Sequence, residues 1–89
     1  MKTKKDQTLT VIRPEGTIST VVVSGVEAFH RLQGLVGGMV TFINLPKRKV
    51  LVVNEEGLLL GLQPNEEASA MVGQLIVGTA VLCDKSALT

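Results

Sequence analysis

The sequence predicts an α+β domain: a mostly antiparallel sheet of about five strands with one main helix, in the order β-β-α-β-β-α-β and two layers. Three observations carry this. Short β-branched runs alternate with turn clusters. One segment, about residues 25–36, carries apolar residues at helical spacing and ends in Gly37-Gly38. The apolar content is 45 % of 89 residues but includes only two aromatics, Phe29 and Phe42, so the core is built from aliphatic side chains that suit sheets.

Each element has its own signals. Residues 1–8 are polar and read as a basic N-terminal tail. Leu9 to Arg13 alternates and is β-branched, a strand. Pro14-Glu15-Gly16 is a turn into a second strand, Ile18 to Val23. Ser24-Gly25-Val26-Glu27 matches a capping box, with Ser at the cap and Glu three residues on. Val26, Phe29, Leu32 and Leu35 then predict the buried helix face, and removing a core Phe29 is expected to cost about 3–5 kcal/mol. Gly37-Gly38 stops this helix. Met39 to Leu45 is a third strand, Pro46 to Lys49 a turn, and Val50 to Val53 a fourth strand, apolar on both faces and hence central. Asn54 to Gly57 is a turn, and 58–62 a loop or irregular strand. Asn65 caps a helix of one or two turns whose first residues, Glu66 and Glu67, suit the helix dipole. Leu75 to Cys83 is the last strand, and 85–89 a C-terminal tail. Residues 9–84 form one domain.

Composition excludes several function classes. A formal net charge of +1 fits neither an acidic DNA mimic nor a strongly basic DNA binder, and two aromatics make no stacking platform for single strands, so nucleic acid is not an expected partner. Cys83 is the one cysteine, so neither an internal disulfide nor a cysteine-based metal site is expected, and a reduced, cytoplasmic compartment fits. The basic start is followed by Asp6-Gln7-Thr8 and not by a long apolar run, so no secretion signal and no membrane span is read. His30, the one histidine, has no partner at ligand or triad spacing. Gly37-Gly38 follows a helix and lacks the phosphate-loop spacing. No catalytic residue, metal ligand or cofactor site is assigned, and the chain is read as a non-enzyme.

The candidate binding residues are Lys47, Arg48 and Lys49 for phosphates, Asn54 and Glu55 at the end of an apolar strand for ribose hydroxyls, and Asn65 beside a helix start. The aliphatic surplus in so short a chain predicts self-association.

The run 29–38, Phe-His-Arg-Leu-Gln-Gly-Leu-Val-Gly-Gly, resembles the "LQ-x-LVGG" helix end of an uncharacterised family of small proteins from bacteriophages, plasmids and their bacterial hosts. Residues 52–65 resemble that family's "VVNEEG-x-L-x-GL-x-PN" segment, and 76–81 its closing "I-x-G-x-A-V" strand. The likeness spans roughly 9–84. It departs after Gly38, where many relatives carry an aromatic and an acid and this chain has Met39-Val40-Thr41. The resemblance implies a mobile element acting in a bacterial cell. That setting, the aliphatic surplus, the lack of a catalytic constellation and the basic hairpin tip together lead to the expectation of a homo-oligomer that sequesters a small anionic, nucleotide-type defence signal without turnover. The alternative is a protein-interaction module that inhibits a host enzyme.

Overall fold

The computed structural model describes residues 5–88. The elements are β1 (Gln7–Ile12), β2 (Ile18–Val23), α1 (Ala28–Val36), β3 (Val40–Leu45), β4 (Lys49–Asn54), α2 (Glu66–Val72) and β5 (Ala80–Asp84), followed by a short 3-10 helix, Lys85–Leu88. The expected α+β order therefore holds. All neighbours in the sheet are antiparallel and the strand order is β2-β1-β5-β4-β3.

Alternation along the inner strands sorts the apolar residues onto two faces. Leu9, Val50, Val52, Val81 and Cys83 meet Ala28, Leu32 and Val36 of α1, together with Ala87. Ile12, Leu51, Val53 and Ala80 form a smaller core on the other face with Ala68 of α2 and Ile76. β4 is buried along both faces from Val50 to Asn54, as its unbroken apolar run predicts. Burial of Cys83 pushes its thiol from the ordinary 9 up to about 11, with Asp84 adding to the shift and Lys49 opposing it.

Several boundaries differ from the sequence reading. The helix starts three residues late because the capping box does not close. The Ser24 hydroxyl accepts from Val26 N–H at 3.3 Å, and the Ser24 carbonyl takes Glu27 N–H at 3.0 Å. The serine is thus consumed by a tight turn, and Glu27 is itself the cap residue without a side-chain bond. The buried stripe is Ala28, Leu32 and Val36, spaced by four, with Leu35 half-buried against it. A spacing of three falls short of a full turn and drifts around the helix, so Phe29 leaves the core face, while Val26 lies exposed in the turn before α1. Phe29 is 42 % exposed and leans on Phe42 of β3, ring centroids 6.4 Å apart. It is a boundary residue, and its truncation removes less than a core Phe would. The stop at Gly37 is as expected: φ is 82° and its N–H reaches the Gln33 carbonyl at 3.0 Å.

The predicted tails are also shorter. Gln7 and Thr8 belong to β1, paired with Val23 and Val22, while residues 1–4 of the expected basic tail lie outside the described residues. At the other end, Lys85–Leu88 winds into the 3-10 helix and buries Ala87 under α1; Thr89 lies outside the described residues. The last strand begins at Ala80 and not Leu75, since Val77 makes only an isolated bridge to Pro64. Among the described residues no helix is long and apolar enough to cross a membrane.

Candidate functional site

The six residues singled out from the sequence do not converge. Lys47, Arg48 and Lys49 stand at the start of β4 and Asn54 and Glu55 at its end. Five residue steps of extended chain separate Lys49 from Asn54, about 17 Å. A phosphate held at one end and its neighbouring ribose at the other would have to span the strand.

The basic end is a tight turn. Lys49 N–H reaches the Pro46 carbonyl at 3.4 Å, and both central residues are left-handed, with φ 62° at Lys47 and 61° at Arg48. All three cationic residues are exposed. Lys49 lies 3.9 Å from the Asp84 carboxylate across the β4–β5 ladder, and the Arg48 carbonyl accepts Lys85 N–H at 2.7 Å. The Asp84 carboxyl is held below the usual range mainly by hydrogen bonds from Ser86, with Lys49 and Arg48 as weaker contributors. The turn presents charge on a convex tip.

The other end is concave. Val53, Asn54, Glu55, Gly57, Leu58, Leu59, Leu75, Ile76 and Val77 line a cleft of about 380 Å³, within the range of small-ligand or side-chain pockets. Its wall is fixed by Asn54, which is 7 % exposed. The Asn54 amide donates to the Val36 carbonyl at the end of α1, 3.1 Å, and its side-chain oxygen accepts Glu56 N–H at 2.7 Å. Glu55 N–H donates to the Met39 carbonyl at 2.8 Å. Gly57 then passes so close to Val77 that a Cβ would lie 2.7 Å from Val77 Cγ2 and 3.4 Å from its carbonyl. Only a glycine lets the loop lie against the 76–77 segment in this way.

Asn65 holds that second wall from behind. It is fully buried. Its amide donates to the Ile12 and Gly78 carbonyls, each at 2.9 Å, and its side-chain oxygen accepts Ala68 N–H at 3.1 Å, the expected cap. Its own N–H donates to the Ile76 carbonyl at 2.8 Å. Asn65 is therefore a strut and not a ligand contact, because burial and three internal bonds occupy its side chain. Asn54 is likewise bonded through both side-chain atoms. Of the polar residues predicted at this end, only Glu55 is exposed at the cleft.

Three residues the sequence reading left aside dominate the cleft rim. Leu58 is 72 %, Leu59 86 % and Leu75 63 % exposed. The available signal was a run of leucines, 58–60, in a loop between two turn clusters, in a segment without a cation. Between Lys49 and Lys85 the chain has no lysine or arginine but has Glu55, Glu56, Glu66, Glu67 and Asp84. The cleft can thus take an apolar group and offer a carboxylate to a donor or cation beside it. Among the described residues no three His, Cys, Asp or Glu side chains gather as metal ligands, and His30 is exposed on α1.

A family model described as a domain of unknown function, DUF3846, matches residues 7–87. No curated protein and no solved structure matches the chain.

Proposed function

The chain belongs to this family of unknown function, DUF3846, and from that premise we propose that it is a protein-interaction module whose cleft beside the end of β4 holds a basic, apolar segment of a partner protein. The carrying observation is the combination at one place of exposed Leu58, Leu59 and Leu75 with a carboxylate and no cation. Apolar side chains left in water around a concave site gain free energy when a partner covers them. The Glu55 carboxylate beside them favours a partner of positive charge over an anionic one.

This favours the second of the two sequence readings over capture of a nucleotide. The cleft lining carries no cation, and the residues expected to hold phosphates, Lys47 to Lys49, stand at the other end of β4, about 17 Å away. In this reading the module works in the bacterial cytoplasm, in keeping with its single free, buried thiol, Cys83. The partner is a protein of that cell whose surface it covers.

The test titrates the protein with an amphipathic Leu/Lys peptide, its Leu/Glu counterpart and ADP-ribose. The Leu/Lys peptide is expected to bind, to perturb Glu55 and Leu59 in nuclear magnetic resonance spectra, and to bind at least about tenfold more weakly to a Leu59→Ser/Leu75→Ser variant. Both leucines are exposed, so melting should change little. Equal binding of the Leu/Glu peptide defeats the charge argument. Binding of ADP-ribose at Lys47 to Lys49 with no peptide bound restores the nucleotide reading.

A further inference from the structure

We infer that β2 pairs with β2 of a second copy, edge to edge about a two-fold axis through Thr20, so that two sheets become one. β2 is one of the two edges of the sheet, separated from β4 by β1 and β5. The proposal does not depend on the cleft.

The hairpin fixes which backbone groups β2 offers. Arg13 N–H donates to the Thr17 carbonyl at 3.0 Å, so 13 and 17 form a hydrogen-bonded pair. Antiparallel pairs alternate between bonded and non-bonded, and the register runs from Ile12 opposite Ile18 to Gln7 opposite Val23. Ser19, Val21 and Val23 therefore bond to β1, and the N–H and C=O groups of Ile18, Thr20 and Val22 point away from the sheet. The same three side chains share one face, opposite to Val23 and Val21, which pack toward α1. They are exposed, with Ile18 at 54 % and Val22 at 65 %.

Soluble proteins commonly blunt such an edge with lysine, proline, a bulge or a covering loop. Here no charge and no proline occurs from Thr17 to Val26, and β2 has six consecutive residues in register with β1. That pattern suits a second copy. Antiparallel pairing about Thr20 uses every outward group, since Thr20 meets Thr20 and Ile18 meets Val22 at both ends. Each contact is a favourable cross-strand pair, threonine with threonine or two β-branched aliphatics. Other two-fold registers leave one or more outward residues unpaired. The nearest charged residue of the hairpin, Glu15, falls opposite Gly25 of the other copy in this register, so no like charges are brought together. The contact is isologous and closes at two chains.

Two measurements test it. Sedimentation of the untagged chain at micromolar concentration should show twice the 9.5 kDa chain mass. Thr20→Lys and Thr20→Glu each place like charges face to face on the axis, and each should weaken the dimer at least about tenfold. An equimolar mixture of the two should dimerise again, while Asn44→Lys on the opposite edge strand should leave the dimer intact. Independently of any variant, amide exchange at Ile18, Thr20 and Val22 should be slow in the dimer and fast on dilution, with Ser19 and Val21 protected in both. A monomer, a fibre, a dimer indifferent to both Thr20 charges, failure of the mixture to recombine, dissociation by Asn44→Lys, or open exchange at the three outward amides in the dimer would each overturn the inference.

Discussion

The two ends of β4 carry comparable densities of polar residues and use them in opposite ways. At the Lys49 end the cations stand in water on a tight turn, tied to the rest by one long ion pair and a backbone bond. At the Asn54 end the asparagines are inside, and the exposed residues are leucines and acids. The lesson concerns desolvation. A buried amide must place all its donors and acceptors within the fold, so it organises the chain around it. A solvated ammonium makes no such demand and leaves its surroundings loosely defined. The shaped end of the strand is therefore the one built on buried asparagine, and it is where the fold can hold another molecule.

The contrast is broken most severely by Asn65→Ala. Removal strands the Ile12 and Gly78 carbonyls and the Ala68 N–H in the interior. A buried unsatisfied group costs roughly 1–3 kcal/mol, so a total loss of about 3–5 kcal/mol is expected, a large share of a small domain's stability. Urea unfolding measures it. Lys47→Ala at the other end should stay within about 0.5 kcal/mol of wild type. Comparable losses from the two substitutions would mean that the two ends are built alike.

Gly57→Ala sharpens the comparison at the cleft. The new methyl must displace Val77, and overpacking of this kind costs about 1–3 kcal/mol. The cleft should change shape with it, so peptide binding should fall further than the stability loss accounts for. A variant with unaltered melting and binding would show that the loop does not rest on Val77.

Beneath the basic end the core itself can be titrated. Cys83 lies opposite Val50 in the ladder, and its thiol is raised to about 11. The folded chain keeps the proton that the unfolded chain releases near 9, so its contribution is intact below about pH 9 and is lost as pH rises toward 11. A decline on the order of 1 kcal/mol is expected across that window. Cys83→Ala, compared with wild type by denaturant titration at each pH, should flatten the decline.

Most of the fold was legible because strand alternation, the stop at Gly37 and the Asn65 cap each express a backbone requirement that local residues meet. The start of α1 was not, since Ser24 can cap a helix or close a turn and only the path of the chain out of β2 decides. The site was legible by position and not by role. Asn54 stood out at the end of an apolar strand and Asn65 at a helix start, but a buried asparagine and a solvated one have the same letter. Their burial follows from partners far along the chain: the end of α1 for Asn54, through the Val36 carbonyl, and the Ile12 and Gly78 carbonyls for Asn65. The leucines at 58–60 fall in a segment read as a loop or irregular strand, and the sheet had no room for them: both faces of β4 are covered by α1 and by the 65–76 segment.

The smallest expected effect bears on the basic turn. Lys47 and Arg48 hold a conformation that asparagine and glycine adopt with least strain, and Asn-Gly is the preferred pair for a turn of this hand. Lys47→Asn/Arg48→Gly should therefore raise stability, by about 0.5–1 kcal/mol once the greater freedom of glycine in the unfolded chain offsets part of the relief. Unstrained substitution also removes two of the tip's three exposed cations, which makes it a test of use. Strained, non-glycine residues persist where their side chains are needed or where nothing selects against a small loss. If the tip is only a turn, the variant is more stable and binds the Leu/Lys peptide as wild type does. If the tip holds phosphate, the same variant gains stability and loses a salt-sensitive affinity for inorganic pyrophosphate, measurable by calorimetric titration at two ionic strengths. A loss of stability in the variant would mean that the lysine and arginine side chains brace the turn through contacts beyond the Lys49–Asp84 pair, and the two ends of β4 would then be more alike than their burial suggests.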